Sequence, residues 1–136
     1  MKNLLDGIVK FRNEDFEKHR ELFNNLKQQQ NPHTLLIACS DSRVDPNLIT
    51  GTLPGELFII RNIANMVPPY RNTAEYAGVT SAIEYAVKFL SVQNIIVCGH
   101  SNCGGCAACL KPAEYLADMP HTQTWLQLAQ TVRDLV

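Results

Sequence analysis

The sequence has no excess of charge of either sign: twelve lysines and arginines stand against thirteen aspartates and glutamates, a net charge of −1. That balance excludes the polyelectrolyte field expected of a protein built to hold DNA, RNA or an anionic lipid surface. No apolar run approaches the ~20 residues that a membrane-spanning helix needs, so no membrane partner is expected. The opening Met-Lys-Asn-Leu-Leu-Asp-Gly lacks an apolar stretch long enough for a secretory leader, and the expected location is the cytoplasm. Repeats, long linkers and low-complexity tracts are also missing. The 136 residues suit a single domain, and a hydrophobic fraction of 46% excludes a disordered chain.

An even complement of cysteines is missing too. There are five, at 39, 98, 103, 106 and 109, so they cannot all pair within the chain, and a reducing compartment disfavours disulfides in any case. Each thiol then has two readings, as a small buried core residue or as a metal-binding or catalytic thiolate.

What is present reads as an α/β protein with a parallel sheet flanked by helices. Residues 3–11 carry Leu4, Leu5, Ile8 and Val9 on one side of a short helix. Asn13 reads as the cap of a second helix bearing Phe16, Leu22, Phe23 and Leu26. Together they predict an N-terminal helical arm that ends before Pro32, since the residue ahead of a proline is pushed out of the helical region. Thr34–Cys39, Leu57–Arg61 and Asn94–Cys98 are short apolar runs bounded by polar punctuation, the signature of strands buried on both faces. Asn72-Thr73-Ala74-Glu75 has capping-box spacing ahead of a helix through about Leu90. Trp125, Leu128, Ala129, Val132 and Leu135 or Val136 mark a last helix whose apolar stripe runs to the final residue. Residues 1–136 thus read as one domain that is incomplete at its C-terminal side, or whose surfaces a partner subunit covers.

In an open α/β sheet, ligands collect at the carboxyl ends of the strands. The first predicted strand delivers Cys39-Ser40-Asp41-Ser42-Arg43 there, and the third delivers His100-Ser101-Asn102-Cys103. If those strands are neighbours, Cys39, His100 and Cys103 converge. Two thiolates and one imidazole form a Zn²⁺ ligand set with a fourth position left open, and nothing in the sequence suggests redox chemistry that would favour copper. A lone cysteine at a strand end is ordinary packing; two such clusters, both in serine- or glycine-rich turns, point to a metal. The glycines at 104 and 105 let the backbone turn away closely behind it. Asp41 and Arg43 read as a surface ion pair of little consequence, or as a carboxylate held by a charge-assisted fork that orients an attacking hydroxide or fills the fourth position itself.

Cys-x-Asp-x-Arg after one buried strand and Gly-His-Ser-x-Cys-Gly-Gly after another resemble the β-class carbonic anhydrases. The likeness continues through Pro54-Gly55-Glu56-Leu57-Phe58-Ile59-Ile60-Arg61-Asn62-Ile63-Ala64-Asn65 and Ile83-Glu84-Tyr85-Ala86. It is nearest to the plant and cyanobacterial type, which includes bacterial members linked to cyanate metabolism. The resemblance implies reversible hydration of carbon dioxide to bicarbonate and a proton, with one Zn²⁺ per subunit in a homodimer or higher homo-oligomer. Cys39, His100 and Cys103 match the zinc ligands. Asp41 and Arg43 match the catalytic dyad, whose carboxylate ligates zinc only in an inactive closed form. Gln30 matches a glutamine that reaches the substrate from the neighbouring subunit; Phe58, Ile63 and Tyr85 match positions lining the carbon dioxide pocket; and Gly104 follows the last ligand, where its N–H is placed for a product oxygen. The family also implies a further strand and helices beyond residue 136.

Two other readings stay open on the sequence alone. One is a metal-binding remnant without turnover. The other takes Cys103-x-x-Cys106-x-x-Cys109 as an iron–sulfur run, or Cys106 and Cys109 as a redox pair.

Overall fold

The computed structural model describes residues 1–71 and 75–135. The chain forms two compact units, Met1–Asn31 and Pro32–Val136.

The first unit is helical: α1 (Lys2–Lys10), a π-turn over Phe11–Asp15, a short α2 (Phe16–Lys18) and α3 (Arg20–Leu26). Asn13 caps nothing. It lies inside the π-turn, and the helical path breaks instead at His19, whose φ of −112° and ψ of 21° leave the helical region. Three rings hold this bend: Phe16 stacks on Phe23 at 5.0 Å, and Phe11 meets both edge-on at 6.4 and 6.0 Å. The aromatics select the bend, because only a break there brings residues 11, 16 and 23 into mutual contact. Leu4, Leu5, Ile8 and Val9 of α1 remain exposed.

The second unit is built on β1 (Thr34–Cys39), β2 (Leu57–Asn62) and β3 (Asn94–Cys98), an all-parallel sheet in the order β2-β1-β3. Thr34 lies opposite Leu57 and Asn94, and Ala38 opposite Arg61 and Cys98. Alternation along β1 sorts its side chains to two faces. Leu35 and Ile37 join Ile60 and Ala86, with Phe58, Val79, Ile83 and Val92 packed against them. Leu36 and Ala38 join Val44 on the other face. β1 is central and fully buried, as its uniform apolar run predicts. β3 departs from expectation. It is an edge strand, and Ile95, Ile96 and Val97 stay about half exposed.

Between the strands run α4 (Pro46–Thr50) and α5 (Ala77–Glu84) with a π-turn continuing to Phe89; after β3 come α6 (Gly104–Cys109), α7 (Pro120–Leu126) and α8 (Gln130–Arg133). The capping box expected over Asn72–Glu75 falls, apart from Glu75, outside the described residues. The expected final helix is broken by a 3-10 turn at Gln127–Ala129, and Val132 is exposed rather than packed. At the carboxyl end of the sheet a third cluster gathers Cys39, Ala64, Cys103, Leu116 and Leu126, with Trp125 against it.

Candidate metal centre

Because β1 and β3 are neighbours, the loops that leave them meet. Cys39 is the last residue of β1, and His100 stands two residues beyond the end of β3. Cys103 precedes α6 as its N-cap residue, in extended conformation. One donor atom from each of the three lies within 4.8 Å of the others, and the two sulfurs are 3.8 Å apart. Cys39 and Cys103 are buried and His100 is nearly so.

The imidazole is already oriented. Its Nδ1 donates to the Ser101 carbonyl at 3.0 Å, and since a carbonyl only accepts, the proton sits on Nδ1. In the neutral ring that leaves Nε2 as the lone pair, and it is one of two buried side-chain polar atoms among the described residues without a hydrogen-bond partner. An orphaned buried acceptor beside two thiols is what a metal ligand looks like when its other nitrogen is tied to a carbonyl. Two sulfurs and one imidazole nitrogen fit a tetrahedral divalent ion of borderline softness, with one position left over.

The thiols differ in their surroundings. Burial alone would raise Cys103, but the N–H of Cys106, the Cys106 and Cys39 thiols and the N–H of Gly105 outweigh it and lower its pKa. Desolvation and the adjacent Cys103 push Cys106 up to about 11. Burial likewise raises Cys109, whose Sγ donates to the Gly105 carbonyl at 3.3 Å. Among the described residues the Cys39–His100–Cys103 group is the one cluster of three or more such side chains. Residues 103, 106 and 109 do not form a second cluster, and the iron–sulfur reading has no geometry behind it.

Asp41 is held by a fork. Arg43 Nε donates to Oδ1 at 2.9 Å, Nη2 to Oδ2 at 2.7 Å, and the Arg43 backbone N–H to Oδ1 at 3.0 Å. Those side-chain bonds, followed by the backbone one, keep the carboxyl well below the usual carboxylate range. Oδ2 also stands 3.9 Å from His100 Nε2. Arg43 Nη2 donates in addition to the Asn102 carbonyl at 3.1 Å, so the same guanidinium bridges the two ligand loops. Arg61, which sequence reasoning passed over as a strand residue, donates to the carbonyls of Cys39 and Asp41. Its signal was a charged residue closing an otherwise apolar strand.

The remaining site residues are spread out. Ile63 lines an open cleft of about 300 Å³ with Ser40, Asn62, Val79 and Trp125. Phe58 pairs with Leu35, four residues before Cys39, roughly 13 Å of strand at the usual rise. Its ring meets that of Tyr85 at 5.9 Å. Gln30 belongs to the N-terminal unit. Gly104 opens α6, and its N–H precedes the first bond of that helix, from the Ala107 N–H to the Cys103 carbonyl. It therefore has no acceptor inside the helix. Of the two glycines behind the ligands, Gly105 is the one in close quarters; Gly104 has open space where a β-carbon would stand.

A parallel α/β sheet that presents a Cys-His-Cys group at its carboxyl end defines an α/β protein with a candidate metal centre. The carbonic anhydrase family model matches residues 34–136, and the chain belongs to the β-carbonic anhydrase family. A carbonic anhydrase of Synechococcus elongatus is 45% identical over 136 residues, all of this chain and 49% of the relative. The solved β-carbonic anhydrase CcaA superposes with a TM-score of 0.92 at 46% identity, covering 99% of this chain and 65% of that one. One of two tetrameric β-carbonic anhydrases from Sordaria macrospora superposes with a TM-score of 0.81 at 36% identity, over 97% of this chain and 63% of the other. The chain thus spans about half the length of the Synechococcus relative.

Proposed function

We propose that the protein hydrates carbon dioxide reversibly to bicarbonate and a proton, with one Zn²⁺ held by Cys39, His100 and Cys103. The observation that carries this reading is the convergence of those three donors around an unpaired, buried His100 Nε2. When bound, zinc supplies the Lewis acidity that brings the pKa of water toward neutrality. The chain supplies the rest. Asp41, kept ionised and immobile by Arg43, accepts a hydrogen bond from the attacking oxygen and aims its lone pair at the electrophilic carbon. Gly104 offers its free N–H to a product oxygen. Ile63 gives an apolar wall, which suits a substrate without a dipole.

Gln30 enters the same scheme from the neighbouring subunit, and Phe58 and Tyr85, whose rings meet at 5.9 Å, extend the apolar lining of the pocket. A homodimer or larger assembly in the cytoplasm supplies that neighbour, and a tetrameric solved relative supports such an assembly. The exposed apolar side of α1 supports it as well.

One observation favours a second reading, a zinc-binding segment without turnover: β3 is an edge with half-exposed isoleucines and valine. Stopped-flow hydration of carbon dioxide, run beside metal analysis, separates the two. The expected result is one zinc per chain, a rate above buffer, and loss of both in Cys39→Ala. Full turnover in Cys39→Ala would overturn the mechanism, and bound zinc without turnover would establish the second reading.

A further inference from the structure

The end of β2 and the 3-10 turn after it, Arg61–Asn65, enter the chemistry above only through the Ile63 wall, yet they touch both ligand loops. On one side, Arg61 Nε donates to the Cys39 carbonyl at 3.1 Å and Nη2 to the Asp41 carbonyl at 2.7 Å. The intervening Ser40 N–H donates to the Asn62 carbonyl at 2.9 Å. A planar guanidinium has a fixed fork of donors, so it sets the turn from metal ligand to dyad carboxylate at both ends.

On the other side, Ala64 is 3% exposed and adopts a φ of 61° and ψ of 25°. Asn65 follows with a φ of 45°. Two successive side-chain-bearing residues in the left-handed region are disfavoured and persist only where their surroundings over-determine them. Here they are pinned twice. Trp125 Nε1 donates to the Ile63 carbonyl at 2.8 Å. A β-carbon on Gly105 would stand 2.8 Å from Ile63 Cγ2, 2.9 Å from Ala64 Cβ and 3.2 Å from the Ala64 nitrogen. The strained turn is thus seated directly on α6, two residues past Cys103. Gly99, just before His100, lies near the same turn, with Asn65 Nδ2 3.9 Å from where its β-carbon would be.

We infer that Arg61–Asn65 is a positioning element for the metal centre, with Arg61 its positioning residue. Arg61 fixes where Cys39 and Asp41 stand; Ala64, held by Trp125, fixes where Cys103 stands through its contact with Gly105. One strand end thereby sets the separation of two thiol ligands that come from different loops. The inference rests on the metal-centre reading and adds to it the groups that hold the centre to size.

The test uses the purified protein with Arg61→Gln and Arg61→Lys, read by zinc affinity in chelator competition, by the ligand-field and thiolate charge-transfer bands of the cobalt-loaded form, and by melting of the metal-free form. Lysine keeps the charge but reaches one carbonyl instead of two. The expected result is roughly a 10- to 100-fold loss of zinc affinity in Arg61→Gln, a smaller loss in Arg61→Lys, and altered cobalt bands in both. A role confined to general stability would lower the melting temperature and leave the bands of the folded protein unchanged. Wild-type affinity and bands in a folded Arg61→Lys overturn the inference. A wild-type protein that takes up neither zinc nor cobalt overturns the metal-centre reading, and this inference with it.

Discussion

His100 has two ring nitrogens in unlike surroundings, and the difference fixes what the side chain can do. Nδ1 is spent on a carbonyl, which leaves Nε2 buried and without a hydrogen-bond partner in the cluster with the two sulfurs. Asp41 is constrained in a comparable way: Arg43 occupies both carboxylate oxygens and leaves the group charged but unable to swing freely. Lysine would replace the fork by a point charge on a flexible stem. Arg43→Lys is therefore expected to lower kcat/KM for hydration by about ten- to a hundredfold with zinc content unchanged; turnover at the wild-type level would reduce the pair to a surface ion bridge. The Cys39–His100–Cys103 cluster was legible in the sequence because strand ends announce themselves through apolar runs, and the three residues lie at or just beyond such ends. Arg61 was not legible as part of the centre. It acts on backbone carbonyls, which every residue carries, so no pattern of side chains marks its targets.

Among the elements, β1 shows most directly how pattern becomes placement. Leu35 and Ile37 are 0% and 1% exposed, and they anchor the strand that ends in Cys39. Ile37→Ala is expected to cost about 2–5 kcal/mol of unfolding free energy, measured by urea denaturation; a loss under half of that would mean the sheet can close over the cavity. Helix α4 went unforeseen although its signals are ordinary. Asp45 caps it by accepting from the Leu48 N–H at 2.9 Å, Pro46 starts it, and Gly51 ends it at a φ of 65°. It has a single buried residue, Pro46, so no apolar periodicity marked it. Asp45→Ala should cost about 1 kcal/mol, and a neutral result would show that packing alone holds the helix. The edge exposure of β3 was hidden for a different reason. Its run of Ile95, Ile96 and Val97 reads the same whether or not a neighbour lies alongside, since a sequence pattern records what a strand can bury rather than what covers it. The bend at His19 escaped notice because aromatic contacts chose it over the local preference for a cap at Asn13.

At the scale of the whole molecule, the apolar side of α1 stands out: Leu4 is 74% exposed, Leu5 59% and Ile8 63%. An amphipathic helix with its apolar side in water calls for a partner surface. Sedimentation velocity is expected to show a dimer or larger species for the parent protein, and a shift toward monomer in Leu5→Glu/Ile8→Glu; an unshifted double variant would free α1 from any part in assembly. The order β2-β1-β3 has a consequence for how the protein comes into being. Cys39 and Cys103 are separated by 64 positions along the chain, and closing so long a loop carries an entropic penalty that nearer contacts must offset first. Neither ligand loop alone offers more than two of the three donors. During refolding in cobalt, the far-UV signal of the sheet is expected to precede the thiolate-to-cobalt absorbance, and the reverse sequence would refute that order. On the zinc reading, metal content becomes a measure of topology: in any preparation, the fraction of chains that capture an ion counts those whose central strand has paired with β3.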